Sequence, residues 1–330
     1  MTDFVVTWVD GNDPEWIRER EKYREDATQD ACPARYRDWG MLKYWFRAVE
    51  KFAPWVHRVH FVTYGHVPEW MDTSCMDLNI AVHGDFIPGK YLPTFNSHTI
   101  ELNLHRIRGL ADQFVYFNDD MFLVSPVTED YFFKDGMPRD EFILDAVYFA
   151  PDSAGAYNGN CLELINKNFS LKKMKKKYGF LQVYYPGYGL ENLLRNIFMM
   201  RFPWYPGFHY NHLPTSTLKA TMEEVWKREY AAMDRTCADR FRSKRNVSPW
   251  LFKYWQLASG NFVPRNPGSG KVFHMKGASG AADAADALTS GRYKMICIND
   301  TAKTKNFEVQ KEAIIQAFEM LLPEKSRFES

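Results

Sequence analysis

The sequence predicts an α/β fold with a Rossmann-like, mainly parallel sheet and a largely helical portion inserted into it. Three observations carry this. Short apolar runs over 3–9, 56–63, 78–82 and 114–117 read as strands, with helical stretches between several of them. Strands that alternate with helices build parallel sheets. After about Pro138 the pattern turns helical, and strand-like runs return only over 271–275 and 293–298. The chain therefore divides into a first part of an α/β core (1–138), a mostly helical insertion (139–265) and a return to the core with a closing helix (266–330).

Taken in order, the strand over 3–9 ends at Asp10-Gly11-Asn12-Asp13-Pro14, a turn whose proline suits the start of a polar helix over 15–25. An irregular stretch around Cys32 and Pro33 follows. From Asp38 onward, Trp39, Leu42, Phe46 and Val49 recur at helical spacing and stop before Pro54. The segment 92–120 is the richest in chemistry. The residue before Pro93 is pushed toward extended backbone. Asn96 and Ser97 are good N-cap types, so a helix of about three turns is expected to near Arg108, with Gly109 ending it. The run from Phe114 to Phe117 fits a strand buried on both faces. Asn118-Asp119-Asp120 follows at its carboxyl end, where ligands bind in open α/β sheets. The insertion offers helices over 158–169, 189–200 and 218–233, separated by turns rich in Tyr, Pro and Gly. The small-residue stretch 277–287 fits a loop or a helix, and a helix over 306–322 closes the chain.

With 330 residues the chain can bury a large core, and a net charge of +1 offers no global field for nucleic acid, so no nucleic-acid partner is expected. Cys32, Cys75, Cys161, Cys237 and Cys297 are scattered singly, which argues against a disulfide framework or zinc knuckle and fits a reducing compartment. No signal-peptide pattern precedes the first strand, and no run of about eighteen apolar residues occurs. A cytoplasmic protein is expected. The basic run 171–177 (LKKMKKK) reads as a solvated helix face, or else as a dock for an anionic acceptor or a membrane headgroup. The second reading would bring the protein to the inner face of the membrane as a peripheral component.

Several residues have the chemistry of a site. Asp10-Gly11 follows a strand and so lies at the sheet's ligand edge, although the same pair serves equally as a plain tight turn. Asp119 and Asp120 face opposite ways on a continuing strand but converge if the chain turns there. Converging carboxylates suit a hard cation such as Mg²⁺, which takes one or two carboxylates plus phosphate oxygens. A polar turn after a buried strand is the plainer alternative. His98, Glu101 and His105 share a helix face but lack the spacing of a catalytic zinc motif. His98 could instead bond a phosphate, and Arg106 could fork one, or merely be a solvated helix charge. His209 and His212 precede an expected helix, and a histidine is the usual base for a hydroxyl proton.

Four blocks together resemble the Stealth family of sugar-1-phosphate transferases. They are Phe4-Val5-Val6-Thr7-Trp8-Val9-Asp10-Gly11-Asn12-Asp13; the long stretch from Ala53-Pro54-Trp55 and Phe61-Val62-Thr63 through Leu92-Pro93-Thr94-Phe95-Asn96-Ser97-His98 to Tyr116-Phe117-Asn118-Asp119-Asp120; His212-Leu213-Pro214; and Ile296-Cys297-Ile298-Asn299-Asp300. They stand in the family's order, and the stretch 139–205 is least covered. Thr99 stands where the family commonly has alanine.

The resemblance implies a UDP-sugar donor, a hexose or N-acetylhexosamine, and a saccharide or lipid-linked oligosaccharide acceptor. An acceptor hydroxyl would attack the phosphorus bearing the donor sugar, leaving a phosphodiester and UMP, in capsular or cell-surface polysaccharide synthesis. It matches His212 rather than His209 to the base. It also implies metal binding by Asp119 with Asp120 and Asp300, holding Mg²⁺ or alternatively Mn²⁺. Phosphate contacts would come from Asn96, Ser97, His98 and Arg106, with Asp10, Gly11, Asn118 and Asn299 in the donor pocket. The first part of the core would then be the donor side, and the insertion the acceptor side with the catalytic histidine. Residue chemistry alone does not separate this from a GT-A-like glycosyltransferase, which presents acids to the same pyrophosphate but releases UDP. A non-catalytic sugar-nucleotide-binding scaffold would show decay of these acid and histidine positions, and all of them are intact.

Overall fold

The computed structural model describes residues 1–24, 37–150, 154–177, 180–276, 278–301 and 304–330. Cys32 and Pro33, and Gly277 at the head of the small-residue stretch, lie outside them. In chain order the strands are β1 (Thr2–Thr7), β2 (Val59–Thr63), β3 (Leu78–Val82), β4 (Gln113–Asn118), β5 (Met121–Leu123), β6 (Phe133–Lys134), β7 (Met137–Asp140), β8 (Thr215–Leu218), β9 (Val263–Pro264), β10 (Gly270–His274) and β11 (Met295–Asn299). The central sheet runs β3-β2-β1-β4-β8. Its first four strands are parallel, with Phe4 opposite Val59 on one side and Val115 on the other. β8 joins β4 antiparallel, Thr215 opposite Tyr116. The chain leaves β1 for β2 and β3, then crosses back to lay β4 on the other side. The carboxyl ends of β1 and β4 thus flank the point where strand order reverses, the usual place for a ligand crevice.

Strand alternation feeds two cores, one on each face of the sheet. Phe4, Val6, Phe61, Val115 and Phe117 pack with the helix Leu42–Phe52 and the closing helix Phe307–Leu321. Val5, Val62, Ala81, Phe114 and Tyr116 pack with the helical portion, including Cys161, Ile165, Val225 and Trp255. The result is a three-layer α/β arrangement with a mainly parallel middle sheet.

Much of the element order follows the sequence expectation. Pro14–Tyr23 is a helix whose N-cap Asp13 accepts from the Trp16 amide, and Gly155–Asn168, Leu190–Met199 and Phe307–Leu321 are helical as expected. The small-residue stretch is a helix, Ala278–Thr289.

Five features differ. The helix after Asn96 stops at Leu102 and gives way to a 3₁₀ turn, Leu104–Arg106. Asn103 interrupts it by donating to the Thr99 carbonyl (2.8 Å) and accepting from Arg106 Nε (2.9 Å). The stretch after His212 is β8 rather than the start of a helix. The helix expected over 218–233 is two, Lys219–Arg228 and Tyr230–Ala238. They part at Glu229, whose carboxylate is drawn to Lys167 (2.7 Å) and Asn168 (2.6 Å). The helix Trp250–Ser259 was not anticipated, because it is buried nearly all round and so carries no amphipathic stripe. Its Lys253 reaches Asp140 at 2.8 Å inside the core. Finally, β10 and β11 do not re-enter the central sheet. They form a second sheet, β10-β11-β5, packed on the same core as one face of the first.

Candidate active site

The carboxyl ends of β1 and β4 open into a cleft with two lobes of about 1350 and 430 Å³. Glu101, Asn118, Tyr210, His212, Arg242, Asn299 and Asp300 line both, so they form the wall where the lobes meet. The smaller lobe is bounded by Thr7, Trp8 and Val9 at the end of β1 and by Asp38, Asp119 and Asp120. The larger holds the aromatic side chains Phe149, Tyr157 and Trp250 and the cations Lys244 and Lys276.

A continuous polar chain runs across the sheet end. Thr7 Oγ1 lies 3.1 Å from the Tyr116 hydroxyl, which donates to Asn118 Oδ1. Asn118 Nδ2 lies 3.4 Å from His212 Nε2, and that nitrogen is 3.5 Å from Asp120 Oδ2. Asp120 Oδ2 also accepts from the Cys297 thiol at 3.3 Å, and the other imidazole nitrogen, Nδ1, is 3.3 Å from the Tyr210 hydroxyl. The turn after β4 makes this possible. It lets Asp120 point at β11 and His212, with the Asp120 carbonyl accepting from Ile298 N at 2.8 Å.

The electrostatics follow from crowding. Burial works against a charged imidazole at His212, but the Asp120 carboxylate beside it outweighs this and raises its pKa above the ordinary histidine value. Asp119 lines the smaller lobe and is exposed to water there, although protein atoms crowd around it. Desolvation, with the Asp120 and Asp38 charges, pushes it up to about 7. Glu101, nearly inaccessible, is raised by burial, with Arg242 and Ser97 holding it back. Burial and Asp120 also push the Cys297 thiol well above its ordinary range, so it serves as a donor rather than a thiolate.

Two conserved regions described for Stealth proteins match this chain, region 1 at residues 3–27 and region 2 at residues 35–140. The chain is 40% identical to the capsular polysaccharide phosphotransferase WcwK of Streptococcus pneumoniae, over 99% of this chain and 97% of that one. It is 40% identical to the receptor polysaccharide phosphotransferase WefC of Streptococcus oralis, over 99% and 98%. It is 37% identical to an exopolysaccharide phosphotransferase of Lactiplantibacillus plantarum, over 99% and 96%. The chain belongs to the Stealth family. It is a transferase, and phosphotransfer in polysaccharide synthesis is the activity these relatives support. Among solved structures it is similar to the galactosyltransferase LgtC with donor and acceptor sugar analogs, at 11% identity over 96% of each chain and a TM-score of 0.38. That likeness is too loose to carry an argument.

In this Stealth chain the residues singled out from sequence separate into two groups. His98, Ser97, Asn118, Asp119, Asp120, His212 and Asn299 all line the cleft. Five others do not stand free in it. Asn96 is fully buried: its amide oxygen caps the following helix at His98 N (3.1 Å), and its nitrogen donates to the Asp239 carbonyl and Asn246 Oδ1 (both 3.1 Å). It is the N-cap that its residue type suggests, and capping consumes it. Arg106 is exposed and stacks on Trp226 at 4.8 Å, outside both lobes. Asp10 closes its own turn through the Asn12 amide (2.9 Å), and neither it nor Gly11 borders a lobe. Asp300 borders both lobes, but its carboxylate already accepts from Trp39 Nε1 (3.1 Å), Thr301 N (2.7 Å) and Thr304 Oγ1 (2.6 Å) and pairs with Arg37 (3.4 Å).

Sequence reading missed Arg242, Glu101 as a wall residue, Asp38, Lys244 and Lys276. Arg242 donates to Ser97 Oγ, while its neighbours Arg240 and Arg245 are spent on the Pro93 carbonyl and Asp239. Nothing in the run Arg240-Phe241-Arg242-Ser243-Lys244-Arg245 marks which cation turns inward. Glu101 was legible only as a partner of His98 three residues earlier on one helix face.

The acids fit a hard divalent cation. Asp120 Oδ1 is buried without a hydrogen-bond partner, and Asp119 is crowded by like charges that a cation would relieve. Asp120, His212 and Cys297 also place one ligand atom each within 4.8 Å of one another. That trio would suit a softer ion only with a deprotonated thiol, and the environment of Cys297 opposes it.

Proposed function

We propose that the enzyme transfers a sugar-1-phosphate from a UDP-sugar, a hexose or N-acetylhexosamine, to a hydroxyl of a saccharide acceptor, forming a phosphodiester and releasing UMP. The observation that carries this is the His212–Asp120 pair on the wall between an acid-lined lobe at the sheet's switch point and a larger aromatic-lined lobe. A base at such a boundary can activate a nucleophile arriving from one lobe against a phosphorus held in the other.

The smaller lobe takes the donor, with its nucleotide toward Thr7, Trp8 and Val9. Asp119 and Asp120 would hold a bound Mg²⁺, or alternatively Mn²⁺, which neutralises pyrophosphate charge. Arg242, common to both lobes, forks the phosphate under attack, and Lys276 adds positive charge from the larger lobe. Asn118 and Asn299 line the donor's path, and His98 with Ser97 borders it.

The acceptor sugar lies in the larger lobe against Tyr157 and Trp250. Asp120 keeps the His212 proton on Nε2, leaving Nδ1, beside the Tyr210 hydroxyl, to receive the acceptor proton. The acceptor oxygen bonds to the phosphorus that carries the donor sugar. The bond from that phosphorus to the bridging oxygen breaks, and UMP departs with the electron pair.

Incubating purified protein with a panel of UDP-sugars, a saccharide acceptor and Mg²⁺, with and without EDTA, and identifying the released nucleotide tests this. EDTA-sensitive, acceptor-dependent UMP release supports it. UDP release makes the enzyme a glycosyltransferase and voids the role given to the attacked phosphate.

A further inference from the structure

We propose that the helix Leu190–Met199 and the turn after it form a docking face for the surface of an anionic lipid bilayer. Leu190, Leu194, Ile197 and Phe198 recur at helical spacing on one side and are 73, 56, 49 and 59% exposed. Phe202 lies with its ring centroid 6.5 Å from that of Phe198, and Trp204 and Leu181, the latter on the short helix Phe180–Val183, are also exposed. That short helix is tied in place, since Asn196 Nδ2 donates to the Val183 carbonyl at 2.8 Å. The other side of Leu190–Met199 is packed: Asn196 is fully buried, and Leu193 and Met199 lie on the core. The exposed side is therefore surplus to folding, and large apolar side chains clustered on one exposed helix side mark an interaction site.

The charge around it selects the occupant. Residues 171–204 contain Lys172, Lys173, Lys175, Lys176, Lys177, Arg195 and Arg201, with Glu191 the sole acid of the stretch, within a chain whose net charge is +1. Arg195 is neutralised by Glu191 (2.9 Å) and Asp145 (3.3 Å), which leaves the lysines and Arg201 as the excess. An apolar helix side carried in a strongly basic stretch of sequence is the composition of a helix lying in the headgroup plane. The polybasic run that precedes it in the chain would be drawn to anionic lipid. A second copy of the chain would press two such cationic segments together, whereas anionic headgroups neutralise them. Among the described residues no helix is long and apolar enough to cross a membrane, so the face lies on the bilayer.

The face is joined to the mouth of the larger lobe. Leu144 N donates to Asn196 Oδ1, and Asn196 Nδ2 to the Phe142 carbonyl, both at 2.8 Å. The same segment runs on to Tyr148 and Phe149, each 74% exposed, and Phe149 lines that lobe. Docking would thus hold the lobe's mouth near the membrane, and it does not depend on the reaction proposed above.

Flotation of the full chain with phosphatidylglycerol–phosphatidylcholine vesicles, against phosphatidylcholine alone, tests the proposal. The expected result is binding that needs phosphatidylglycerol, falls as salt rises, and drops at least about tenfold in the L194S/F198S/W204S variant. K172E/K173E should lose part of the binding. Turnover with a soluble saccharide acceptor should be unchanged in both variants, which separates failure of docking from failure of the reaction. Absence of wild-type binding, or equal binding by the triple variant with its helical circular dichroism intact, would overturn the proposal. A wild-type dimer that the triple variant dissolves would overturn it too, by giving the face to a second copy.

Discussion

Replacing His212 with alanine removes the proposed base and little else. The side chain is 19% exposed and stands on the wall of an open cleft, touching Asn118, Asp120 and Tyr210. Its loss leaves Asp120 with the Cys297 thiol as a partner, so the folded state should be nearly as stable, with Tm within about 2 °C of wild type. A positioned base contributes about 10²–10⁴-fold, equivalent to about 2.7–5.5 kcal/mol of barrier. kcat should fall by that factor, while the donor KM stays within about threefold because His212 acts on the acceptor. The pH profile gives an independent sign. The base works when neutral, and Asp120 raises its pKa, so wild-type turnover should climb with pH through a value above the ordinary histidine one. Steady-state nucleotide release at several pH values reads both effects. A kcat loss below about fivefold, or an ascending limb unchanged in His212→Ala, would refute the assignment.

Asp119→Asn should weaken the dependence of activity on Mg²⁺ concentration as well as activity itself, measured by metal titration after EDTA treatment; an unchanged metal response would take Asp119 out of the metal site. Arg242→Ala should lower kcat/KM for the donor by about 10² and Arg242→Lys by less, since a lysine keeps the charge but loses the fork. On stability, Glu329→Ala leaves the buried Arg47 guanidinium without the carboxylate that it grips at 2.8 and 2.9 Å. The cost should be about 3 kcal/mol, at the lower end for a broken buried pair because Glu319 remains 3.6 Å away, measured by denaturant unfolding. His83 and His105 are held neutral by burial, each with a pKa of about 3. The unfolded chain takes up those protons first, so stability present above the ordinary histidine pKa near 6.5 is lost as pH falls toward 3, at about 1.4 kcal/mol per pH unit for each. His105→Leu should make the loss measurably shallower in melts between pH 7 and about 4.

The parts of the fold written in local pattern were legible. The β1 and β4 runs, the Asp13-Pro14 helix start and the closing helix all rest on signals within a few residues. So did the key placement, Asn118-Asp119-Asp120 at the end of a doubly buried strand, although only the structure shows the turn that swings Asp120 to His212. What stayed hidden depends on distant partners. The polar Thr-Ser-Thr-Leu of β8 is a strand because β4 offers it an edge. Lys253 can sit inside a buried helix because Asp140 and Glu141 meet it there. Asn96 and Asp300 have the right chemistry for a ligand, but other parts of the chain already claim it. Arg242 is one of several like cations, and its inward turn toward Ser97 is a tertiary fact with no sequence mark.

In the proposed reaction the bond made is between phosphorus and an acceptor oxygen. ³¹P NMR of the acceptor product, formed with an accepted UDP-sugar and Mg²⁺, tests this most directly. A phosphodiester resonance coupled to protons of both the donor and the acceptor sugar is expected. An elongated acceptor product that contains the new sugar but no phosphorus would contradict it.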